Sequence, residues 1–508
     1  MLQKKSTKVL LNKYFSNTKI LLFSIVLFGL ILRLIFFSGM GASDDLAYSK
    51  FAVNIDKGVD PDSSQTLATR LGIIYITALS YNLFGINDFS SVLFVLLTSI
   101  GSIILIFHFG KLLFNEKTGL IAAFLLSFFP LEVVYATKLL ADIPSAFFMA
   151  LGVYLFLYAE KFHRNFSHQG NHKVISHDSE IRSKLKYNLG YLFSGIFIGI
   201  GYFIRESAVL IALFFIIYIA YKRRIKKEYF LVPLGVLIIF AIELLLFFNF
   251  TGDPLLKIQG AQEHRAKVMV EYNYYNRLDF PSGLFHYPYM ILTNGLISYF
   301  YIFIGIAMIY LLIYKKKETY TMMFWFLALL LYLSFGSTSP TQYLPFLAKG
   351  RYLSIITIPG ILLLAFFFTE KKYFIKRVVM PLSLIFLLLA SIGSVYVRED
   401  RNLLDDLRSI YTYLEQLDKA IYTDARSSKA LDYISEYKNM IDIRPYPNDL
   451  SGINDVYIVI NREMVRELGE ANKKREFPKE IDKPPNDWQV IKEIGIDDKN
   501  KIIIYYVP

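Results

Sequence analysis

The chain has 508 residues, 54% of them hydrophobic and only 19% charged, with a mean hydropathy of +0.40, which excludes an ordinary soluble globular protein. Its formal net charge of +12 is scattered between apolar runs rather than gathered on one domain, which argues against nucleic-acid binding. It has no cysteine, so disulfides and thiolate metal sites are excluded.

Residues 1–19 are basic and polar, and an apolar run from Ile20 to Phe37 follows. That run is too long for a signal peptide and has no small-residue cleavage site behind it, so it reads as a retained first helix with a cytoplasmic N-terminus. Eleven runs are long and apolar enough to span a bilayer, at about 20–38, 89–110, 118–137, 143–160, 189–205, 207–221, 229–249, 287–314, 320–336, 352–369 and 378–396. The basic links Lys111–Lys117, Lys161–Lys186, Lys222–Lys227, Lys315–Lys317 and Lys371–Arg377 all fall on one side if the N-terminus is inside, a consistent positive-inside solution. Segments 39–88, 138–142, 250–286 and 337–351 then face outward, with everything after 397.

The outer segment 39–88 predicts a short amphipathic helix over Asp44–Asp56, a loop over Lys57–Ser64, and an interfacial helix over Thr66–Phe84 capped by Gly85. Beyond residue 397 charge rises and apolar residues thin out. Leu403–Leu417 and Ser428–Tyr437 have helical spacing; Ala420–Thr423, Val456–Ile460 and Lys501–Val507 read as strands. Asp497–Asn500 separates two apolar runs as a hairpin turn would. The predicted architecture is an α-helical polytopic membrane domain, residues 1–397, followed by a small α/β extracytoplasmic domain, residues 398–508.

Chemistry-bearing residues collect on the outer side. Asp44 and Asp45 are adjacent carboxylates at the membrane surface. Asp favours helix N-caps, but a carboxylate here is also placed to take a proton from an attacking hydroxyl, and an adjacent like charge raises one pKa of a pair. Asp142, on the short link before Ile143-Pro144, starts a span and is held close to the membrane plane. Arg70, Arg205 and Arg351 sit outside against the positive-inside bias. Snorkelling to headgroups accounts for any one of them; three beside outer carboxylates point to an anionic lipid substrate, because guanidinium grips phosphate with two donors.

Segment 250–286 adds Glu263, His264, Arg265 and Arg277 amid many tyrosines, a composition suited to sugar contacts and also to a membrane interface. Glu243 lies within an apolar run, where an acid is a functional candidate. His108 and Lys111 fall at an inner span end and read as structural. No phosphate-binding Gly-rich loop and no His-Glu-x-x-His motif is present, and histidines are mostly in the inner loop, so no cofactor and no His-based metal site are expected. A transporter would place such groups at mid-membrane in repeated halves; here they lie at one face, without a repeat. A membrane assembly protein with a sensing outer domain is the other bland alternative.

Taken in order, these pieces resemble the GT-C glycosyltransferases, and within them the dolichyl-phosphate-mannose protein mannosyltransferases and their prokaryotic relatives, among which is the lipid A aminoarabinose transferase. The resemblance is carried by Asp44-Asp45 with Tyr48 and Phe51-Ala52, Leu83-Phe84-Gly85, Asp142-Ile143-Pro144, the Gly-rich run from Gly195 to Arg205, and Arg351-Tyr352-Leu353 running to Pro359. The chain departs at Thr69-Arg70-Leu71-Gly72, where the family often has prolines after a basic residue. The resemblance implies inverting transfer of a sugar, mannose or another hexose, from a polyprenyl-phosphate carrier to a protein, lipid or glycan hydroxyl on the outer face of the plasma membrane. It implies Asp44, Asp45 and Asp142 as catalytic carboxylates and Arg70, Arg205 and Arg351 as phosphate contacts. Tyr48, Tyr352, Glu263, His264 and Arg265 are further candidates for substrate contacts. The family divides on divalent metals, and none is expected here.

Overall fold

The computed structural model describes residues 17–41, 43–59, 66–170, 177–260, 285–337, 343, 349–370, 375–397, 403–438, 441–450, 452–471, 477–495 and 501–508. Glu263, His264, Arg265 and Arg277 lie outside the described residues.

Eight helices among the described residues are long and apolar enough to cross a membrane, and the chain is a multi-pass membrane protein. They coincide with eight of the eleven predicted spans. The other three differ for identifiable reasons. The run 118–137 is two helices, Glu116–Ser127 and Pro130–Tyr135, because Pro130 has no N–H to continue the ladder and opens a new first turn. The run 287–314 breaks between His286–Thr293 and Ser298–Ile313, at Asn294, whose extended backbone ends the first piece and whose side chain accepts from Leu296 N at 3.0 Å. The run 207–221 opens as a 3-10 turn, Glu206–Leu210, and leaves only Ile211–Lys222 as α-helix. Apolar composition sets which segments are buried in lipid or protein; it does not report these interruptions.

The glycine-rich span, within His177–Ile204, packs tightly on Leu231–Thr251. A Cβ at Gly195 would collide with the Val232 carbonyl, and one at Gly235 with the Leu192 carbonyl. The glycines therefore let two backbones touch, as small residues do between membrane helices.

In the segment before the second long span the first predicted helix forms, while the second, expected over Thr66–Phe84, is divided at Arg70; most of the predicted loop Lys57–Ser64 lies outside the described residues. Helix Asp44–Asp56 is followed by a 3-10 turn, Thr66–Thr69, and helix Leu71–Phe84. Gly85 ends the latter at φ 74°, its N–H donating to Tyr81 O at 2.8 Å.

The C-terminal region carries helix Leu403–Leu414 and a five-stranded sheet in the order β2-β1-β3-β5-β4. The strands are β1 Ile421–Thr423, β2 Ile443–Pro445, β3 Val456–Asn461, β4 Gln489–Ile494 and β5 Ile502–Val507. β1 runs parallel to β2 and β3; β3, β5 and β4 pair antiparallel, so β4 and β5 flank the predicted hairpin turn. Alternate residues of β3 feed two cores. Ile458 and Ile460 pack with Trp488 and Tyr505. Val459 packs with Ile421, Ile504 and Leu407, in a core continuous with Leu46, Phe51 and Ile74 of the first two short helices. The sheet thus rests on the segment that holds Asp44.

Asp88 anchors that docking. Its Oδ1 accepts from Arg408 at 2.7 Å and from Tyr433 at 2.9 Å, and Ser91 Oγ lies 3.1 Å from the Tyr433 hydroxyl. Asp88→Ala is expected to loosen the C-terminal domain by about 1–3 kcal/mol, the cost of leaving charged hydrogen-bond partners unmet. Limited proteolysis should release that domain faster than in the wild type; an unchanged digestion rate would show that the apolar contacts suffice.

Candidate active site

Three structural units deliver the site, the second of them built from two separate stretches of chain. The first is helix Asp44–Asp56, which begins with the two carboxylates. Residues i and i+1 of a helix do not face each other, and the pair divides accordingly. Asp45 turns inward, 2% exposed, and its carboxylate accepts from the backbone N–H groups of Gly41, Ser43 and Leu46. It ties the helix to the chain entering it. Asp44 stays partly exposed, at 31% of its side chain.

The second unit is the link into helix Asp142–Gly170 and the turn after helix His177–Ile204. The Ser145 hydroxyl donates to Gly201 O at 2.9 Å, pinning the end of one helix to the start of the other. Arg205 follows at once, with extended backbone, and pairs directly with Asp142 in a site where the two side chains are 8% and 4% exposed.

The third unit is the 3-10 turn Gly350–Leu353 ahead of helix Ser354–Phe368. It brings Arg351 between the carboxylates. Arg351 pairs through Nη2 with Asp44, and its Nε lies 3.7 Å from Asp142 Oδ2. That Nε is buried without a hydrogen-bond partner. Tyr352 lies beneath both cations, its ring centre 4.4 Å from the Arg205 guanidinium carbon and 5.8 Å from that of Arg351. Residues far apart in sequence, Asp44, Asp142, Arg205, Arg351 and Tyr352, therefore converge.

Arg70 lies beside this centre and acts on Asp44 electrostatically. Its Nε and Nη2 donate to the two oxygens of Glu206 at 3.3 and 3.1 Å, and its Nη1 donates to the Tyr48 hydroxyl at 2.6 Å. All three of its nitrogens are engaged, so it orients Tyr48 rather than offering an open fork. Behind it, Lys257 bonds Glu243 at 2.6 Å and Tyr202 O at 3.1 Å, with both ions buried. Glu243 is thus a neutralised partner of a lysine at the base of segment 250–286.

Electrostatics separates the two neighbouring aspartates. Burial favours the neutral acid at Asp44, but Arg351, Lys349 and Arg70 outweigh it and hold the carboxyl at about 2, below its ordinary 3.8. Burial pushes Asp45 up, only partly opposed by its three N–H donors and Lys138. The expectation that mutual repulsion strengthens one base of the pair is therefore corrected. Each carboxyl answers to its own surroundings, and Asp44, paired with Arg351, is the weaker base.

Several participants were missed in sequence. Glu206 follows Arg205 directly in a turn, and that adjacent pair was its only signal. Lys138 and Lys349 lie on links assigned outward, the same anomaly that singled out the arginines. Arg33 sits fully buried in the first span, donating to Ser99 Oγ at 3.0 Å, which in turn donates to Glu132 Oε2 at 2.7 Å. Among the described residues no group of three His, Asp or Glu side chains is arranged to hold a metal ion; Asp44 and Asp142 each face a guanidinium instead.

Comparison with known proteins places this geometry. The chain matches ArnT from Cupriavidus metallidurans bound to undecaprenyl phosphate over 95% of its own length and 97% of that chain, at TM-score 0.59 and 11% identity. The two chains share one overall fold. The archaeal oligosaccharyltransferase AglB from Archaeoglobus fulgidus, solved with an inhibitory peptide and a dolichol-phosphate, matches at TM-score 0.51 and 12% identity, over 91% of this chain and 71% of that one. Residues 71–168 match the family described as dolichyl-phosphate-mannose-protein mannosyltransferase. That stretch runs from helix Leu71–Phe84 through Asp142 and the helix it opens. No curated protein matches the sequence.

Proposed function

We propose that this protein is an inverting membrane glycosyltransferase that moves a sugar from a polyprenyl-phosphate carrier to a hydroxyl acceptor. The observation that carries the reading is the convergence of Asp44 and Asp142 with Arg205 and Arg351 at one end of a GT-C bundle. Two similar structures, ArnT bound to undecaprenyl phosphate and AglB in complex with a dolichol-phosphate, support the donor class. A hexose such as mannose fits the matched family description.

In the reaction, the acceptor hydroxyl loses its proton to Asp44 while its oxygen forms a bond to the anomeric carbon. The bond from that carbon to the phosphate oxygen breaks, and its electron pair leaves on the polyprenyl phosphate. Charge accumulates on the leaving phosphate, and Arg351 is placed to meet it with preorganised donors. The sugar passes through an oxocarbenium-like state, as glycosyl transfer does. Asp142 holds Arg205 and faces Arg351, which fixes the cations rather than the proton. In the structure Arg351 is bonded to Asp44. A phosphate that draws Arg351 away frees the base and raises its pKa, so donor binding precedes proton transfer. The outward orientation read from the basic links puts this chemistry on the outer face of the membrane, beside the C-terminal domain.

The test is transfer by the purified protein in nanodiscs, with a synthetic polyprenyl-phosphate sugar of defined anomeric configuration. Transfer with inverted configuration is expected; a retained configuration, or hydrolysis-free inertness toward every hydroxyl acceptor offered, would sink the proposal.

A further inference from the structure

We infer that the C-terminal domain is a positioning element for the reaction: through Tyr433 and Tyr437 it sets the helix that carries Asp44. The inference rests on the transferase reading and adds residues outside the site itself.

Helix Asp44–Asp56 presents two faces. Asp44 and Tyr48, one turn apart, share the face toward the site, where Asp44 meets Arg351 and the Tyr48 hydroxyl accepts from Arg70. One step round, Asp45 and Ser49 turn inward, 2% and 0% exposed. Ser49 opens a buried file of hydroxyls. Its Oγ lies 2.7 Å from the Tyr81 hydroxyl, which lies 2.8 Å from Ser91 Oγ, which lies 3.1 Å from the Tyr433 hydroxyl. Tyr433 belongs to helix Ala425–Ile434 of the C-terminal domain, and it donates in turn to Asp88. A hydroxyl both donates and accepts, so a change at one end of such a file is felt along it.

A second link is direct. Tyr437 follows the end of the same helix, and its side chain reaches Ser49. Glu436 and Tyr437 both lie in the left-handed region, at φ 52° and 57°, a costly placement for non-glycine residues that persists where the surroundings fix it. The Tyr437 N–H donates to Asp432 O at 2.8 Å, and its ring shares one core with Leu46 and Phe51 of the Asp44 helix. Lys50, next to Ser49, pairs with Asp432 at 3.3 Å. Apolar surface alone would let the domain slide on its seat; buried hydroxyls with directional bonds register it against the helix. The pose of Asp44 toward an incoming hydroxyl is thus set from the C-terminal domain as well as from Arg351.

The test compares full-length variants in nanodiscs. Tyr433→Phe/Tyr437→Phe keeps both rings and deletes the hydroxyl links. Ile458→Val, in the core on the other side of the sheet, loosens the domain without touching them. The readouts are hydrogen exchange of the amides of residues 44–56 and steady-state transfer from a synthetic polyprenyl-phosphate sugar. In the phenylalanine variant those amides should exchange about fivefold faster or more. Its kcat should fall about 10- to 100-fold through misplacement of the base, with donor KM unchanged. Ser49→Ala should do the same from the other end of the link, and combining it with the two phenylalanines should cost little more. Ile458→Val should leave both readouts at the wild-type level. Wild-type exchange over residues 44–56 in the phenylalanine variant overturns the inference, as does faster exchange with normal kcat, or an equal loss in Ile458→Val; each leaves the transferase reading intact. A wild-type protein that transfers no sugar overturns the transferase reading and the positioning role with it.

Discussion

Asp44→Asn is expected to lower the rate of sugar transfer by about 10²- to 10⁴-fold, the range a positioned general base contributes, while undecaprenyl phosphate still binds. The substitution preserves shape and removes only the charge and the proton-accepting capacity. It also frees Arg351, whose other neighbour is Asp142 at 3.7 Å, so donor affinity is expected to hold or rise slightly. Single-turnover transfer with saturating donor reads the chemical step; melting in detergent reads the fold. Near-normal turnover in the asparagine variant would remove Asp44 from the reaction.

The pH dependence follows from the same ion pair. Asp44 sits at about 2 while paired with Arg351, depressed from 3.8. A depressed carboxyl contributes stability that is present above its unfolded pKa and is lost as pH falls through the folded one. That window runs from about 4 down to about 2, so Asp44 gives no loss of folding stability at physiological pH. In the donor-loaded enzyme Arg351 turns to phosphate and the Asp44 pKa rises. The acid limb of kcat should therefore lie above that of kcat/KM for the donor, which reports the free enzyme. Coincident limbs would show that donor binding does not release the base.

Arg351→Ala carries the second large effect. It removes a cation shared by two carboxylates and the donor best placed for the leaving phosphate. A fall of about 10²- to 10³-fold in kcat is expected from lost charge stabilisation, with a weaker donor KM. Asp44 and Asp142 then face each other without the intervening cation, which raises the Asp44 pKa, so the acid limb of the residual activity moves to higher pH. Arg351→Lys keeps the charge but not the fork, and should recover the pH profile more fully than the rate. Unchanged donor KM and pH profile in the alanine variant would leave Arg351 a structural residue.

Much of this site was legible because membrane sequences advertise cost. An acid or an arginine at the outer end of an apolar span stands out against lipid, and Asp44, Asp142, Arg205 and Arg351 were marked in that way. The pairing among them was not legible, because it depends on which helix ends meet in space. Asp45 shows the limit: an adjacent Asp-Asp pair looks like a coupled dyad on paper, yet one helical step turns its second member into an anchor for backbone N–H groups. Arg70 shows another. Its partner Glu206 lies 136 positions away, and only the fold reveals that its fork is already filled. Helix breaks at Pro130 and Asn294 were hidden inside runs whose hydropathy is uniform. In the C-terminal domain the short apolar runs of β1, β3 and β5 were legible as strands, whereas β2 and β4, with mostly exposed and polar residues, were not.

The most direct measurement is a density map of the full-length protein holding undecaprenyl phosphate in nanodiscs. The phosphate is predicted within hydrogen-bond reach of the Arg351 guanidinium, with the Asp44 carboxylate released and open to an incoming hydroxyl. A lipid phosphate seated away from Arg351, with the Asp44–Arg351 pair still closed, would contradict the mechanism.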